Sequence, residues 1–95
     1  MTYELEFKKS ALKESKKLGA TVQSQFKKKL VNILDNPHIS SAKLSGGNEL
    51  YKIKITEAGY RLVYEVNDTV ITVTIISVGK RDRGKVYKTA MARIN

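Results

Sequence analysis

Residues 50–78, LYKIKITEAGYRLVYEVNDTVITVTIISV, decide the fold, because they hold three runs rich in aromatic and β-branched residues separated by short polar turns. Side chains along a strand alternate, so Leu50 to Ile55 sets Tyr51, Ile53 and Ile55 on one face and Lys52 and Lys54 on the other. Glu57-Ala58-Gly59 reads as a turn, and Tyr60 to Val66 as the second strand. Asn67-Asp68 reads as a hairpin turn, and Thr69 to Val78 as the third and most apolar strand, broken by Gly79. Three strands so closely spaced predict an antiparallel meander.

Working outward, Met1 to Phe7 is a fourth strand, with Tyr3, Leu5 and Phe7 on its apolar face. Lys8 to Leu18 reads as a short helix with Ala11, Leu12 and Leu18 as sparse apolar contacts, ended by a left-handed Gly19. Thr21 is placed to cap a second helix, whose stripe Val22, Phe26, Leu30, Ile33 and Leu34 is the plainest helical period in the chain. Asp35-Asn36-Pro37 stops it, since the residue before a proline is driven out of helical geometry. His38 to Glu49 is a loop with a turn at Gly46-Gly47-Asn48. Arg83 to Ile94 forms a weak C-terminal helix in which only Val86, Ala90 and Ile94 align. The result is an α+β fold, one domain over residues 1–95. Its order is β-α-α-β-β-β, with a mainly antiparallel sheet, a helical hairpin on one face and a short C-terminal helix.

The bulk properties exclude much. A chain of 95 residues supports one thin core and no large enclosed cofactor cavity. No cysteine means no disulfide, thiolate metal site or thiol nucleophile. No apolar run approaches the roughly 20 residues that span a bilayer, and Met1 to Lys9 has no signal-peptide character. The expected location is the cytoplasm, with no membrane partner. The net charge of +9 points to an anionic partner, nucleic acid above all. From Ile76 onward, Lys80, Arg81, Arg83, Lys85, Lys88 and Arg93 stand against Asp82 alone.

If Tyr51, Ile53 and Ile55 pack on the helices, Lys52 and Lys54 point to an open sheet face, where Arg61 and the segment Lys80 to Arg83 can join them beside Tyr87. Cations for phosphates and a π face for an unstacked base make an RNA site. A lysine-decorated strand that discourages edge pairing accounts for the same pattern without function. No conventional ribonuclease pair is present: His38 is the lone histidine and reads as a surface loop residue. Glu65 and Asp82 read as ion-pair partners of arginines. The Gly46-Gly47 pair lacks the Lys-Ser/Thr sequel of a phosphate loop, and no metal-ligand spacing occurs, so no cofactor or metal is expected.

Five stretches together resemble the RelE toxins of bacterial toxin–antitoxin systems over nearly the whole chain. They are Ala-Leu-Lys-Glu at 11–14, Lys-Lys-Lys-Leu-Val at 27–31, Tyr-Lys-Ile-Lys at 51–54, Gly-Tyr-Arg-Leu-Val-Tyr at 59–64, and the run from Ile76 to Tyr87. The resemblance implies a RelE/ParE-like fold of microbial-ribonuclease type. It also implies a ribosome-dependent endoribonuclease that cleaves mRNA in the ribosomal A site without metal. The RNA's own 2′-OH attacks the adjacent phosphate, leaving a 2′,3′-cyclic phosphate and a 5′-OH. The implied catalytic set is Lys52, Lys54, Arg61, Arg81 and Tyr87, with Lys80, Arg83 and Lys85 accessory to RNA binding. Lys27, Lys28 and Lys29 are candidates for docking on small-subunit rRNA.

The chemistry of these residues fits. Preorganised cations such as Lys54 and Arg61 stabilise the charge of a phosphorane transition state. General-base work calls for a lysine that is partly neutral, which like charges crowded around Lys52 favour. Arg81 contacts the phosphate, and Tyr87 stacks on a base or orients the 2′-OH; the acid and base roles among Lys52, Lys54 and Arg81 stay open. The implied partners are an acidic RelB-like antitoxin and, only through that complex, operator DNA. The sparse apolar stripe of the last helix makes its displacement by the antitoxin an expected route to inhibition. The same-fold alternative is a ParE-like inhibitor of DNA gyrase.

Overall fold

The computed structural model describes residues 2–44, 49–55, 59–80 and 85–94. Its order is β1 (Glu4–Phe7), α1 (Lys9–Lys16), α2 (Ala20–Ile33), a single 3-10 turn (Ser40–Ala42), β2 (Leu50–Ile55), β3 (Tyr60–Asn67), β4 (Thr72–Lys80) and α3 (Lys85–Ile94). The sheet runs β1-β4-β3-β2, antiparallel except that β1 lies parallel to β4. This is the α+β class expected from the sequence.

The helical hairpin covers one face. Phe26, Leu30 and Ile33 of α2 are buried with Tyr51, Ile53, Ile55, Leu62, Tyr64, Val66, Val73, Ile75 and Val78 from the sheet. A buried side chain of this size contributes about 1.5–3 kcal/mol, so the α2 stripe supplies most of the hairpin's hold. α1 adds little: Ala11 is buried, whereas Leu12, expected as a contact, is 39% exposed. Gly19 is not left-handed either. It holds extended backbone (φ −63, ψ 155) and stands at the N-cap of α2, which leaves Thr21 inside the first turn. After α2, Pro37 is fully buried and its carbonyl accepts the Tyr64 hydroxyl at 2.9 Å, so the helix stop is fastened to the core.

The second face is not open. α3 packs there, with Val86 and Ala90 buried against Leu44, Leu50, Val63 and Ile76. One irregularity makes this possible. The β3–β4 register shifts at Val63/Tyr64, so that Val63 pairs with Ser77 and Tyr64 with Ile75, leaving Ile76 as the extra residue of a bulge. Ile75 thereby enters the hairpin core and Ile76 the α3 core, and both are fully buried. Gly79 does not end β4, which continues to Lys80. The lack of a side chain at Gly79 instead admits α3, since a Cβ there would lie 3.2 Å from Val86 Cγ2. The β3–β4 connection is also longer than the expected two residues. Asn67 Oδ1 accepts the Thr69 and Val70 amides, and Ile71 takes a left-handed φ of 49 that aims its carbonyl at the Glu4 amide, 2.9 Å away.

Candidate functional site

The strand register builds the site. Lys52 pairs with Val63 and Val63 with Ser77; one rung on, Lys54 pairs with Arg61 and Arg61 with Gly79. Cross-strand partners share a face, so Lys52, Lys54 and Arg61 stand together on the α3 side of the sheet. Directly opposed like charges destabilise a strand pair, and an anion bound between them removes that penalty. Gly79 leaves the position beside Arg61 without a side chain. Arg61 is half-buried and donates to the Tyr60 carbonyl at 3.3 Å; Lys52 is half-buried and Lys54 exposed.

Lys29 joins this group from α2. Its ammonium donates to the Lys54 carbonyl at 2.8 Å. Lys29, Lys52 and Lys54 line a groove of about 480 Å³ with Asn32, Ser41 and Ala42, along the outer edge of β2. Lys27 lies elsewhere, beside Phe26, Leu62 and Val78 at the hairpin–sheet groove, and Lys28 is exposed farther along α2. Lys80 pairs with Tyr60 on the hairpin face, its ammonium 6.0 Å from that ring's centre, so the sheet turns it away from Lys52, Lys54 and Arg61. Lys85 is exposed at the start of α3, above a hollow shared with Ser77 and Gly79. Arg81, Asp82 and Arg83 lie outside the described residues, as does the Gly46-Gly47-Asn48 turn.

Tyr87 is half-buried on α3 and packs against the cluster of Leu50, Val63 and Ile76, on the face that carries Lys52. Its hydroxyl is shielded from solvent and has no hydrogen-bond partner among the described residues. Such a group costs about 1–3 kcal/mol, so the placement of Tyr87 is not explained by stability. Ser77 fixes the start of the helix from below, donating to the Val86 carbonyl at 2.8 Å.

Several polar residues fall where sequence reading did not put them. Glu65 sits between Leu50 and Thr74, beyond the Lys52 rung, and meets no cation among the described residues. The acid that does meet an arginine is Glu14, paired with Arg93. His38 is more than a surface loop residue. Its Nδ1 lies 2.9 Å from Glu49 and 3.0 Å from the Tyr51 hydroxyl, its Nε2 lies 2.8 Å from Asp68, and its ring meets Tyr3 and Tyr51 edge-on. Hydrogen bonds from Tyr3, then from His38, hold the Asp68 carboxyl below its usual range. This cluster stands at the opposite end of the sheet from Lys54 and Arg61, where β2 and β4 begin. It gathers the only histidine with two carboxylates, which no sequence spacing could show. The two carboxylates take opposite ring nitrogens, an arrangement that ties the α2–β2 connection to the β3–β4 connection.

Comparison with known proteins agrees with this architecture. The family described as the ParE toxin of the type II toxin–antitoxin system, parDE, matches residues 5–84. The mRNA interferase toxin RelE of Escherichia coli K12 is 53% identical over 94 residues, covering 99% of both chains. A mutant of E. coli toxin RelE, solved in the free state, superposes with a TM-score of 0.93 at 50% identity over 100% of both chains. The toxin in the intact E. coli RelBE toxin–antitoxin complex superposes with a TM-score of 0.82 at 53% identity, covering 85% of this chain and 99% of that one. With a matching fold and full-length identity of this order, the chain belongs to the RelE family of toxins of type II toxin–antitoxin systems.

Proposed function

We propose that this protein is a ribosome-dependent endoribonuclease that cleaves mRNA in the ribosomal A site and is neutralised by a RelB-like antitoxin. The observation that carries the reading is the cluster of Lys52, Lys54 and Arg61 on adjacent rungs of the sheet face that also carries Tyr87, in a chain 53% identical over its length to an mRNA interferase. The reaction is attack of the 2′-OH on the adjacent phosphate. The proton leaves the 2′ oxygen, the bond to the 5′ oxygen breaks, and that oxygen takes up a proton. The products are a 2′,3′-cyclic phosphate and a 5′-OH, and no metal is required.

Each residue has a part. Arg61 and Lys54, opposed across β2 and β3, stabilise the equatorial oxygens of the phosphorane. Lys52, half-buried a rung away, is placed to take the 2′ proton. Arg81 contacts the scissile phosphate and Tyr87 orients the ribose or stacks on its base. Lys29 extends the basic groove toward the path of the message, and Arg83 and Lys85 add phosphate contacts. Among the described residues His38 stands at the other end of the sheet and Glu65 lies a rung beyond Lys52, so the ribosome is left to hold the RNA in line. The cytoplasm is the compartment where such a target is met.

The test is single-turnover cleavage of a short message on ribosomes with an empty A site, beside the same RNA free in solution. The expected result is a cut inside the A-site codon only when ribosomes are present. One observation favours a second reading: the matching family is described by its ParE members. A gyrase inhibitor would leave the message intact on active ribosomes and block DNA supercoiling instead.

A further inference from the structure

We propose that Glu14 of α1 and Arg93 of α3 form a clasp that holds Tyr87 at the basic cluster, which makes both of them positioning residues for RNA cleavage. The proposal rests on the cleavage reading above and concerns residues on the far side of the sheet from the groove at β2.

The clasp exists because of how the sheet ends. β1 pairs with β4 only as far as Phe7 and Ile75, so the edge of β4 beyond Ile75 has no neighbouring strand. α1 passes this edge from one face and α3 from the other. Glu14 Oε1 accepts the Val78 amide at 3.2 Å, which satisfies a donor that a fifth strand would otherwise take. Arg93 reaches the same edge from α3. Its Nη1 donates to Glu14 Oε1 at 2.9 Å and to the Ile76 carbonyl at 2.7 Å, and its Nη2 donates to Glu14 Oε2 at 3.0 Å. This is a two-pronged pair between a planar guanidinium and a carboxylate, anchored to backbone at both members. The two side chains are 22% and 31% exposed, so water screens the pair far less than it would a surface ion pair.

α3 needs such an anchor. Among the described side chains it buries only Val86 and Ala90, with Tyr87 and Met91 partly buried, and the Tyr87 hydroxyl finds no hydrogen-bond partner among the described residues. Arg93 lies less than two helical turns after Tyr87, on a helix stiff enough to transmit its position. Fixing the last turn to β4 and α1 therefore fixes the depth of Tyr87 against the cluster that holds Leu50, Val63 and Ile76, on the face that carries Lys52.

The clasp needs the guanidinium fork and not merely a positive charge. A lysine at 93 offers a point charge that cannot serve both carboxylate oxygens and the Ile76 carbonyl in this geometry. Single-turnover cleavage on ribosomes with an empty A site, and amide exchange of α3, are measured for the full chain carrying Arg93→Met, Arg93→Lys and each of these with Tyr87→Ala. Both Arg93 variants are expected to lose at least tenfold in cleavage rate and to lose exchange protection across residues 85–94, while β3 and β4 keep theirs. In the Tyr87→Ala background, Arg93→Met should cost nothing further. Full activity in Arg93→Lys would overturn the proposal by reducing Arg93 to a docking charge. So would an Arg93→Met loss that persists undiminished without Tyr87. If the unsubstituted toxin leaves the codon uncut, the cleavage reading fails separately. The exchange data then decide the clasp alone, and α3 protection surviving Arg93→Met sinks it.

Discussion

Replacing Gly79 tests whether α3 must lie tight against β4. Its φ is not in the left-handed region, so a side chain meets no backbone strain there. Gly79→Ala then gains about 0.4–1 kcal/mol from a less free unfolded chain. Against this, the new methyl meets Val86 Cγ2 at 3.2 Å, closer than carbon atoms pack at rest, and Val86 is 7% exposed with little room to yield. The two effects nearly cancel, and Gly79→Ala should change stability by less than about 0.5 kcal/mol. Gly79→Val adds two more methyl groups against the same neighbour, which costs about 1–3 kcal/mol of overpacking. Valine suits a strand better than glycine does, so the loss cannot be assigned to β4 itself. The strain is relieved by lifting α3, because the sheet beneath is held by the other core. Amide exchange should show residues 85–94 losing protection in Gly79→Val ahead of β3 and β4, with the thermal midpoint lowered by about 4–8 °C per kcal/mol lost, and A-site cleavage should fall with that protection. Retention of α3 protection and of full cleavage in Gly79→Val would refute the reasoning that close docking of α3 matters.

Other perturbations read other parts of the molecule. The phosphate contact proposed for Arg81 predicts that Arg81→Ala lowers single-turnover cleavage by several orders of magnitude while the thermal midpoint stays within about 2 °C, since a charge-stabilising group acts on the chemistry; parallel loss of both would contradict that role. Asp68 has its carboxyl held low by Tyr3 and His38, so its contribution to stability is present above the ordinary aspartate range and lost as pH falls below it. Thermal melts from pH 6 to pH 2 should therefore show a shallower acid decline in Asp68→Asn than in the parent. Tyr64 has its hydroxyl pushed up by burial, so its contribution is intact below pH 10 and lost as pH rises beyond. Tyr64→Phe should cost about 1 kcal/mol at neutral pH by freeing the Pro37 carbonyl, and should lessen the decline in melting temperature above pH 10.

The elements were legible because each is driven by a local period. The β2 alternation placed Lys52 and Lys54 opposite Tyr51 and Ile53, and the α2 stripe named Phe26, Leu30 and Ile33 as buried; both agree with the structure. The joining of β1 to β4 in parallel, and the bulge at Ile76, depend on long-range pairing that no local pattern encodes. The bulge also explains why β4 read simply as the most apolar run: both its faces are covered. α3 gave too weak a stripe to show that it packs on the second face, since part of its hold is polar, through Ser77 and Arg93. Within the basic cluster, the alternation of β2 indicated Lys52 and Lys54, whereas the rung shared by Lys54 and Arg61 required the register. The Glu14–Arg93 pair spans 79 positions and the His38–Asp68 pair spans 30, so neither leaves a trace in spacing.

The parallel pairing of β1 bears on how such a protein is made. β1 occupies residues 4–7, yet the strand it pairs with begins at Thr72. During synthesis the first strand emerges with nothing to pair with, and every element between it and β4 must be translated before the sheet can close. Until then β4, which supplies the floor for both cores, is missing and α3 has no surface on which to dock. In a member of this toxin family both cores thus wait on β4, and the fold closes only after every preceding element has been made.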